Sequence, residues 1–169
     1  NLFPNKPLFK TDFVQLDDYY DKFYNKLAER RKVLFADNYA KAREIAHWKE
    51  LVAERWDNIN VISTEKDQSL ITGNVHTGQE YRIRVDVDEQ GLDDVVGVEL
   101  VVLRSDIDGK VHVAQIDPFK VVKREGNIFT FEAIHTLESA GDIKVAYRMF
   151  PKNADLPHRQ DFCYVKWFN

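Results

Sequence analysis

The last quarter of the sequence holds the run Val145-Ala-Tyr-Arg-Met-Phe-Pro-Lys-Asn-Ala-Asp-Leu-Pro-His-Arg-Gln-Asp-Phe-Cys-Tyr-Val-Lys-Trp-Phe168. At its start Val145, Tyr147 and Met149 alternate with Ala146, Arg148 and Phe150, and β-branched and aromatic residues dominate. The alternation predicts a β-strand up to Phe150, and Pro151 ends it because proline has no N–H to donate to a ladder. Residues 151–159 hold two prolines and four ionisable side chains, a composition that indicates a loop. A second strand is predicted over residues 162–167. This terminal β-unit must join a sheet formed by earlier residues.

The same two-residue period extends upstream to about residue 58. It predicts strands over residues 60–64, 81–88, 96–103, 111–116, 119–122 and 128–131. Asp108-Gly109 and Glu125-Gly126-Asn127 predict the turns of hairpins. Seven or eight short strands with no helix between them predict an antiparallel, immunoglobulin-like β-sandwich over residues 58–169.

The first third of the sequence has a helical period instead. Apolar residues spaced three or four apart between Phe13 and Leu27 predict one helix, which Thr11 or Asp12 can cap. A second helix is predicted from about residue 39 to 56, capped by Asp37 or Asn38. Two such helices form an αα-hairpin over residues 1–57, which needs a further surface to pack against. The predicted content is therefore α+β, a helical hairpin followed by a sandwich.

Composition excludes several classes of protein. The charges are mixed, 24 basic and 28 acidic with a net charge of −4, so bulk charge attracts neither nucleic acid nor an anionic membrane. The sequence has no apolar run of the length of a membrane span and shows no signal peptide at its first residues. The lone Cys163 is predicted to be a small buried apolar residue in the last strand rather than a nucleophile. These features indicate a cytoplasmic protein.

The tail also carries a resemblance to a known family. The motif Arg148-x-Phe-Pro-Lys-Asn-x-x-Leu-Pro-His-Arg-Gln-Asp-Phe162, followed by Val165-Lys-Trp167, resembles the carboxyl end of the bacterial α-glucan (glycogen/starch) phosphorylases. Upstream, Tyr19-Tyr-Asp-Lys-Phe-Tyr24 and Ala46-His-Trp-Lys49 are similar to helices that precede the terminal sandwich of these enzymes. The residues that carry the resemblance, all with an expected structural role, are Trp48, Trp56, Arg148, Pro151, Asn153, Pro157, His158, Arg159, Asp161 and Trp167.

The resemblance implies a parent glycosyltransferase that phosphorolyses α-1,4-glucan to glucose 1-phosphate with pyridoxal phosphate. The family holds this cofactor on a lysine in a Gly-Thr-Ser-Asn-x-Lys-like motif, which the sequence lacks. No catalytic, cofactor-binding or metal-binding residue is therefore carried over to this chain. The implied partner is the rest of the parent polypeptide, with α-glucan and a second copy of the chain as further candidates. The alternatives are a carbohydrate-binding module with exposed aromatic rings and a free-standing interaction module.

Three groups of residues have competing interpretations. The five histidines lack the close spacing of metal ligands. The run His158-Arg159-Gln160-Asp161 suggests either acid–base chemistry or a structural loop, in which Arg159 pairs with Asp161 and His158 fixes the loop by hydrogen bonds. Trp48 and Trp56 suggest either core packing or platforms for sugar stacking. The structural interpretation is preferred in each case.

Overall fold

The computed structural model describes residues 22, 24–72, 76–106, 108–136, 143–156 and 158–168. The chain divides into two compact units, Asn1–Trp48 and Lys49–Asn169. In chain order the elements are α1 (Asn25–Arg55), a 3₁₀ turn (Trp56–Asn58), β1 (Asn60–Lys66), α2 (Gln68–Thr72), β2 (Glu80–Asp88), β3 (Val96–Ser105), β4 (Val111–Pro118), β5 (Lys120–Glu125), β6 (Ile128–Thr136), β7 (Ile143–Pro151), a second 3₁₀ turn (Arg159–Asp161) and β8 (Lys166–Phe168).

Helix α1 is interrupted where the sequence predicts a new helix to begin. Ala36 is extended, with ψ of 155°, and residues 37–39 have φ between 49° and 63°. Asp and Asn enter this left-handed region more readily than other residues, because their short side chains bond to the nearby backbone. The break at Asp37 and Asn38 confirms the predicted boundary. The start of the predicted first helix lies outside the described residues, and the antiparallel arrangement of a hairpin stays a prediction.

The strands form two four-stranded antiparallel sheets in the part of the chain that the structure describes. Their orders are β1-β2-β6-β5 and β4-β3-β7-β8, and the chain passes from the second sheet to the first at Phe119. Gly109 and Gly126, with φ of 76° and 60°, form the predicted hairpin turns. The prediction of an antiparallel β domain after the helical region is thus confirmed, but the expectation of no helix between the strands is wrong, because the short helix α2 lies between β1 and β2.

The two sheets pack against each other through their inner faces. The rings of Phe119 and Tyr147 meet edge-on at 6.4 Å, and Lys66 from β1 lies 4.7 Å from the Tyr147 ring centroid. His135 of β6 contacts the Asp117 carboxylate of β4. The core between the sheets is built mainly from aliphatic and aromatic residues of β2, β3, β6 and β7, among them Ile83, Val85, Val87, Val98, Leu100, Phe129, Phe131 and Met149.

Strand β3 differs from its neighbours because both of its faces are covered. Residues 96–102 are all buried, whereas buried and exposed residues alternate along most of β2. The inner face of β3 packs in the core. Its outer face contains Gly97, Glu99 and Val101. Phe150 of β7 covers Gly97, and Arg159 from the chain after β7 contacts Glu99.

The predictions for the last strand and for Cys163 are wrong. Strand β8 spans only Lys166–Phe168, and the residues before it form the 3₁₀ turn at 159–161 and a tight turn in which Tyr164 N–H donates to the Phe162 carbonyl at 3.0 Å. These turns take Cys163 out of any ladder. Its thiol is exposed and contacts the Gln160 carbonyl at 2.7 Å.

Candidate functional site

A buried carboxylate lies at the centre of the residues that the tail motif singles out. Glu99 projects from the outer face of β3 and is buried. Arg148 donates to its Oε2 from Nε at 2.9 Å and from Nη2 at 2.8 Å. Arg159 Nη2 approaches its Oε1 at 2.5 Å. Both carboxylate oxygens therefore have a guanidinium partner, as a buried charge requires.

The register of the sheet explains how these residues meet. Pro118, Glu99, Arg148 and Trp167 pair in one row across β4, β3, β7 and β8. Directly paired residues of antiparallel strands project from the same face. Arg148 consequently lies between the carboxylate and the indole, with its guanidinium carbon 5.6 Å from the Trp167 ring centroid.

Opposing effects act on the ionisation of Glu99. Burial acts to raise the pKa of Glu99, but hydrogen bonds and charge from Arg159 and Arg148 outweigh it and hold that pKa below its ordinary value. The carboxylate is therefore ionised at neutral pH. A carboxylate held in this way is suited to fixing two arginines and unsuited to exchanging a proton as a general acid.

Arg159, the second arginine of the cluster, also packs on an aromatic ring. Its guanidinium carbon lies 4.0 Å from the ring centroid of Phe150, a cation–π contact. The same ring lies close to Gly97, where an added Cβ would be 2.5 Å from Phe150 Cζ. Only glycine leaves room for the ring at this position, so Gly97 allows the ring that contacts Arg159 to pack on β3.

The loop after β7 is tied to the connection between β2 and β3 and to the last part of helix α1. Lys152 donates its N–H to the Val95 carbonyl at 2.6 Å, and its Nζ bonds to Asp94 at 2.7 Å. Asn153 Oδ1 accepts the N–H of Asp155 at 2.8 Å. Further along, Lys49 Nζ donates to the Asp161 carbonyl at 2.8 Å. The loop is thus anchored at both of its ends.

A cavity of about 330 Å³ lies beside this cluster, between the loop and the edge where β3 meets β4. Its lining is more apolar than polar, and Arg159 and His158 are its basic residues beside Lys152. The lining residues include Val98, Glu99, Pro118, Phe119, Phe150, Leu156, His158 and Arg159.

The comparison with protein families identifies the family of this part of the chain. The family described as the glycogen phosphorylase C-terminal domain matches residues 56–169. The chain belongs to this family. The match includes Glu99 and every residue of the tail motif, so the cluster lies within the phosphorylase C-terminal domain. No curated protein and no solved structure matches the chain.

Trp56 occupies a core position in the phosphorylase C-terminal domain. It is 2% exposed, its ring centroid lies 5.9 Å from that of Tyr164, and Lys166 Nζ lies 6.0 Å from it. This confirms the core interpretation for Trp56, since a buried ring cannot be a sugar platform. Trp48 is half-buried in the first unit, and Pro157 lies outside the described residues.

The predicted pairing within the 158–161 run is wrong. Arg159 pairs with Glu99, whereas Asp161 contributes its backbone carbonyl to the contact with Lys49. The prediction assumed an extended chain, in which alternate side chains share a side. The 3₁₀ turn rotates successive side chains by about 120°, so Arg159 and Asp161 diverge. The side chain of His158 is exposed. The hydrogen bond that His158 makes in this loop comes from its backbone carbonyl, which accepts the Asp161 N–H at 3.1 Å.

Sequence reasoning missed Glu99 itself. The signal was present, because Glu99 is the single charged residue in the apolar run Val96-Gly-Val-Glu-Leu-Val-Val-Leu103. A lone acid in a buried strand requires cationic partners, and the tail motif contains two arginines. Among the described residues, no group of three His, Cys, Asp or Glu side chains could hold a metal ion. None of the described helices has both the length and the apolar character to cross a membrane.

Proposed function

We propose that this chain is the non-catalytic C-terminal region of a bacterial-type α-glucan phosphorylase and acts as a structural and interaction domain. The parent would be a cytoplasmic glycosyltransferase that uses pyridoxal phosphate to release glucose 1-phosphate from α-1,4-glucan. Membership of the glycogen phosphorylase C-terminal domain family supports the parent's identity. The observation that carries the structural role is the Glu99 cluster, in which the charged groups of the motif residues Arg148 and Arg159 are bound to a buried carboxylate of the same domain.

We further propose that the β region is an immunoglobulin-like sandwich. The strand order supports this: β1-β2-β6-β5 corresponds to the A-B-E-D sheet of that fold, and β3-β7-β8 corresponds to C-F-G. Strand β4 then adds one edge strand to the second sheet. In such domains, function resides in surfaces and loops rather than in the packed sheets.

The test compares the parent phosphorylase with and without residues 56–169, alongside the separate 169-residue chain. We expect the deletion to lower the melting temperature and the soluble yield of the parent. The separate chain should bind no pyridoxal phosphate and release no glucose 1-phosphate from glycogen. A Schiff-base absorbance band or phosphorolysis by the chain alone would refute the non-catalytic role. A truncated parent with unchanged stability and activity would refute the bracing role.

One observation favours the second candidate function, binding of α-glucan. Trp167 is 56% exposed on the edge strand β8, and Arg148 covers one side of its ring. Affinity electrophoresis in gels containing glycogen or amylopectin tests this candidate. Retardation that Trp167→Ala abolishes would establish glucan binding, and unchanged mobility of the native chain would eliminate it. A free-standing interaction module predicts instead that the gene encodes little upstream of these residues, which the upstream reading frame decides.

A further inference from the structure

The cavity beside the Glu99 cluster has polar groups that the cluster does not use. Arg159 contacts Glu99 through Nη2, and toward the described residues its Nε and Nη1 have no hydrogen-bond partner. The same holds, within the described part of the chain, for the imidazole of His158 and for Nδ2 of Asn153. Both arginine and amide groups are donors. Since Glu99 is paired with both Arg148 and Arg159, the cluster beside the cavity carries a net positive charge.

The wall of the cavity is apolar, and its size limits what can enter. Its apolar lining residues include Pro118, Phe150, Pro151 and Leu156. A volume of about 330 Å³ is at the lower end of the range of about 300–1,000 Å³ that is typical of ligand pockets. It suits one or two amino-acid side chains better than a cofactor or a run of sugar units.

The aromatic rings of the cavity are already engaged in contacts within the domain. Arg159 lies over the Phe150 ring, and the same ring packs closely on Gly97. Phe119 is buried and meets Tyr147 edge-on. The cavity therefore combines an apolar lining with hydrogen-bond donors and positive charge. This combination complements an apolar side chain that lies beside a carboxylate.

We propose that this cavity is a docking site for a polypeptide segment that places an apolar side chain on the Leu156 wall and a neighbouring Asp or Glu carboxylate on Arg159. The guanidinium can donate to such a carboxylate through its unused Nη1 while Nη2 stays on Glu99. The inference rests on the proposed role as an interaction domain and names the site and chemistry of that interaction.

The test uses the whole 169-residue chain labelled with ¹⁵N and three probes: acetyl-Glu-Leu-Glu-amide, acetyl-Lys-Leu-Lys-amide and inorganic phosphate. We expect the acidic peptide to shift the amide signals of Gly97, Lys152 and Asn153 and the side-chain Nε–H of Arg159. Neither of the other two probes should reproduce these shifts at equal concentration. Higher salt should weaken binding, because the contact is between charges.

The matched variants are Arg159→Gln and Arg124→Gln. Arg159 is 57% exposed, pairs with Glu99 and lies over the Phe150 ring. Arg124 has similar surroundings elsewhere in the domain: it is 54% exposed, pairs with Asp93 and lies over the Phe129 ring. We expect Arg159→Gln to weaken the acidic peptide at least about fivefold and Arg124→Gln to change it less than about twofold. Leu156→Glu, which places a carboxylate of the chain in the cavity, should block binding in a protein that keeps Arg159.

Three results would overturn the docking proposal. They are the absence of shifts around the cavity up to about 10 mM acidic peptide, equal binding of the lysine peptide, and equal shifts from phosphate alone, which would indicate an ion site. The outcome is separate from that of the proposed function. If the cavity proposal fails, removal of residues 56–169 should still destabilise the parent, and if the bracing role fails, the peptide shifts should still appear.

Discussion

The guanidinium of Arg159 lies on the ring of Phe150, 4.0 Å from its centroid, and joins the loop after β7 to the sheet beneath it. The ring itself occupies the space above Gly97, the residue with which Phe150 is paired on β3. One aromatic side chain therefore connects a glycine in a buried strand with a charged residue in an irregular loop. The stability of the loop should depend on this contact.

Gly97→Ala should destabilise the domain by displacing Phe150. The added Cβ would lie 2.5 and 2.6 Å from two ring carbons, closer than non-bonded atoms tolerate. We expect a loss of about 1–3 kcal/mol in the free energy of unfolding, the usual effect of an overpacked site. Urea denaturation followed by tryptophan fluorescence measures it. The pair Gly97→Ala/Phe150→Leu should recover part of the loss, and no recovery would contradict the steric explanation.

Glu99→Gln should lower the free energy of unfolding more than Arg159→Ala does. The substitution leaves Arg148, which is 25% exposed, without its counter-charge, and we expect a loss of about 2–4 kcal/mol. Arg159→Ala should cost less than about 1 kcal/mol, because that side chain is 57% exposed. Thermal unfolding at pH 7 compares the two, and equal losses would show that the buried charge is not the centre of the network.

The charge on Glu99 also predicts a response to acid. Its pKa is lowered in the folded protein, so the network contributes stability above the ordinary value of 4.5, and this contribution is lost as the pH falls through the lowered pKa. Unfolding measured between pH 5 and about pH 3 should therefore be less pH-dependent in Glu99→Gln than in the native chain. An unchanged acid slope would contradict the lowered pKa.

Much of the sheet could be predicted from the sequence because its strands follow simple periods. The alternation of Tyr81 to Val87 and the turn glycines Gly109 and Gly126 are local signals, and the structure confirms them. The pairing of Glu99 with Arg159 is not a local signal, since the partners are 60 positions apart (159 − 99). It depends on β3 and β7 being neighbours and on a 3₁₀ turn that has no strong periodicity. The same turn removed Cys163 from its predicted strand.

The two tryptophans of the phosphorylase C-terminal domain differ widely in exposure and provide a further test. Trp56 is 2% exposed and Trp167 is 56% exposed. Trp56→Ala should reduce the free energy of unfolding by about 3–5 kcal/mol through the cavity it leaves, while Trp167→Ala should cost about 1 kcal/mol or less. Chemical denaturation monitored by far-ultraviolet circular dichroism compares the variants without relying on the indole signal. A larger loss for Trp167 would contradict the core assignment of Trp56.

Glu89, in the connection between β2 and β3, should make the domain less stable as the pH rises toward neutrality. The side chain is fully buried; its Oε2 accepts the Val95 N–H at 3.0 Å, and in the described part of the chain its Oε1 has no hydrogen-bond partner. Burial raises the pKa of Glu89 to about 7, the negative charge of Asp94 adds to the effect, and backbone hydrogen bonds and Lys152 oppose it. In the unfolded chain the ordinary value of 4.5 applies.

The folded protein therefore binds a proton at Glu89 that the unfolded chain releases between pH 4.5 and about 7. Stability from this group is fully present below pH 4.5 and is lost as the pH rises through about 7, with a total effect of about 3 kcal/mol. Glu89→Gln cannot ionise, so it should be more stable than the native chain at pH 8 and similar to it at pH 4.5. Urea denaturation at both pH values measures the difference. Asp93→Asn, an exposed neighbour, is the control and should show no such change. If Glu89→Gln and the native chain had the same free energy of unfolding at pH 8, the carboxyl group would be ionised in the folded protein without cost. Its full burial and its Oε1, which has no hydrogen-bond partner in the described part of the chain, argue against that result.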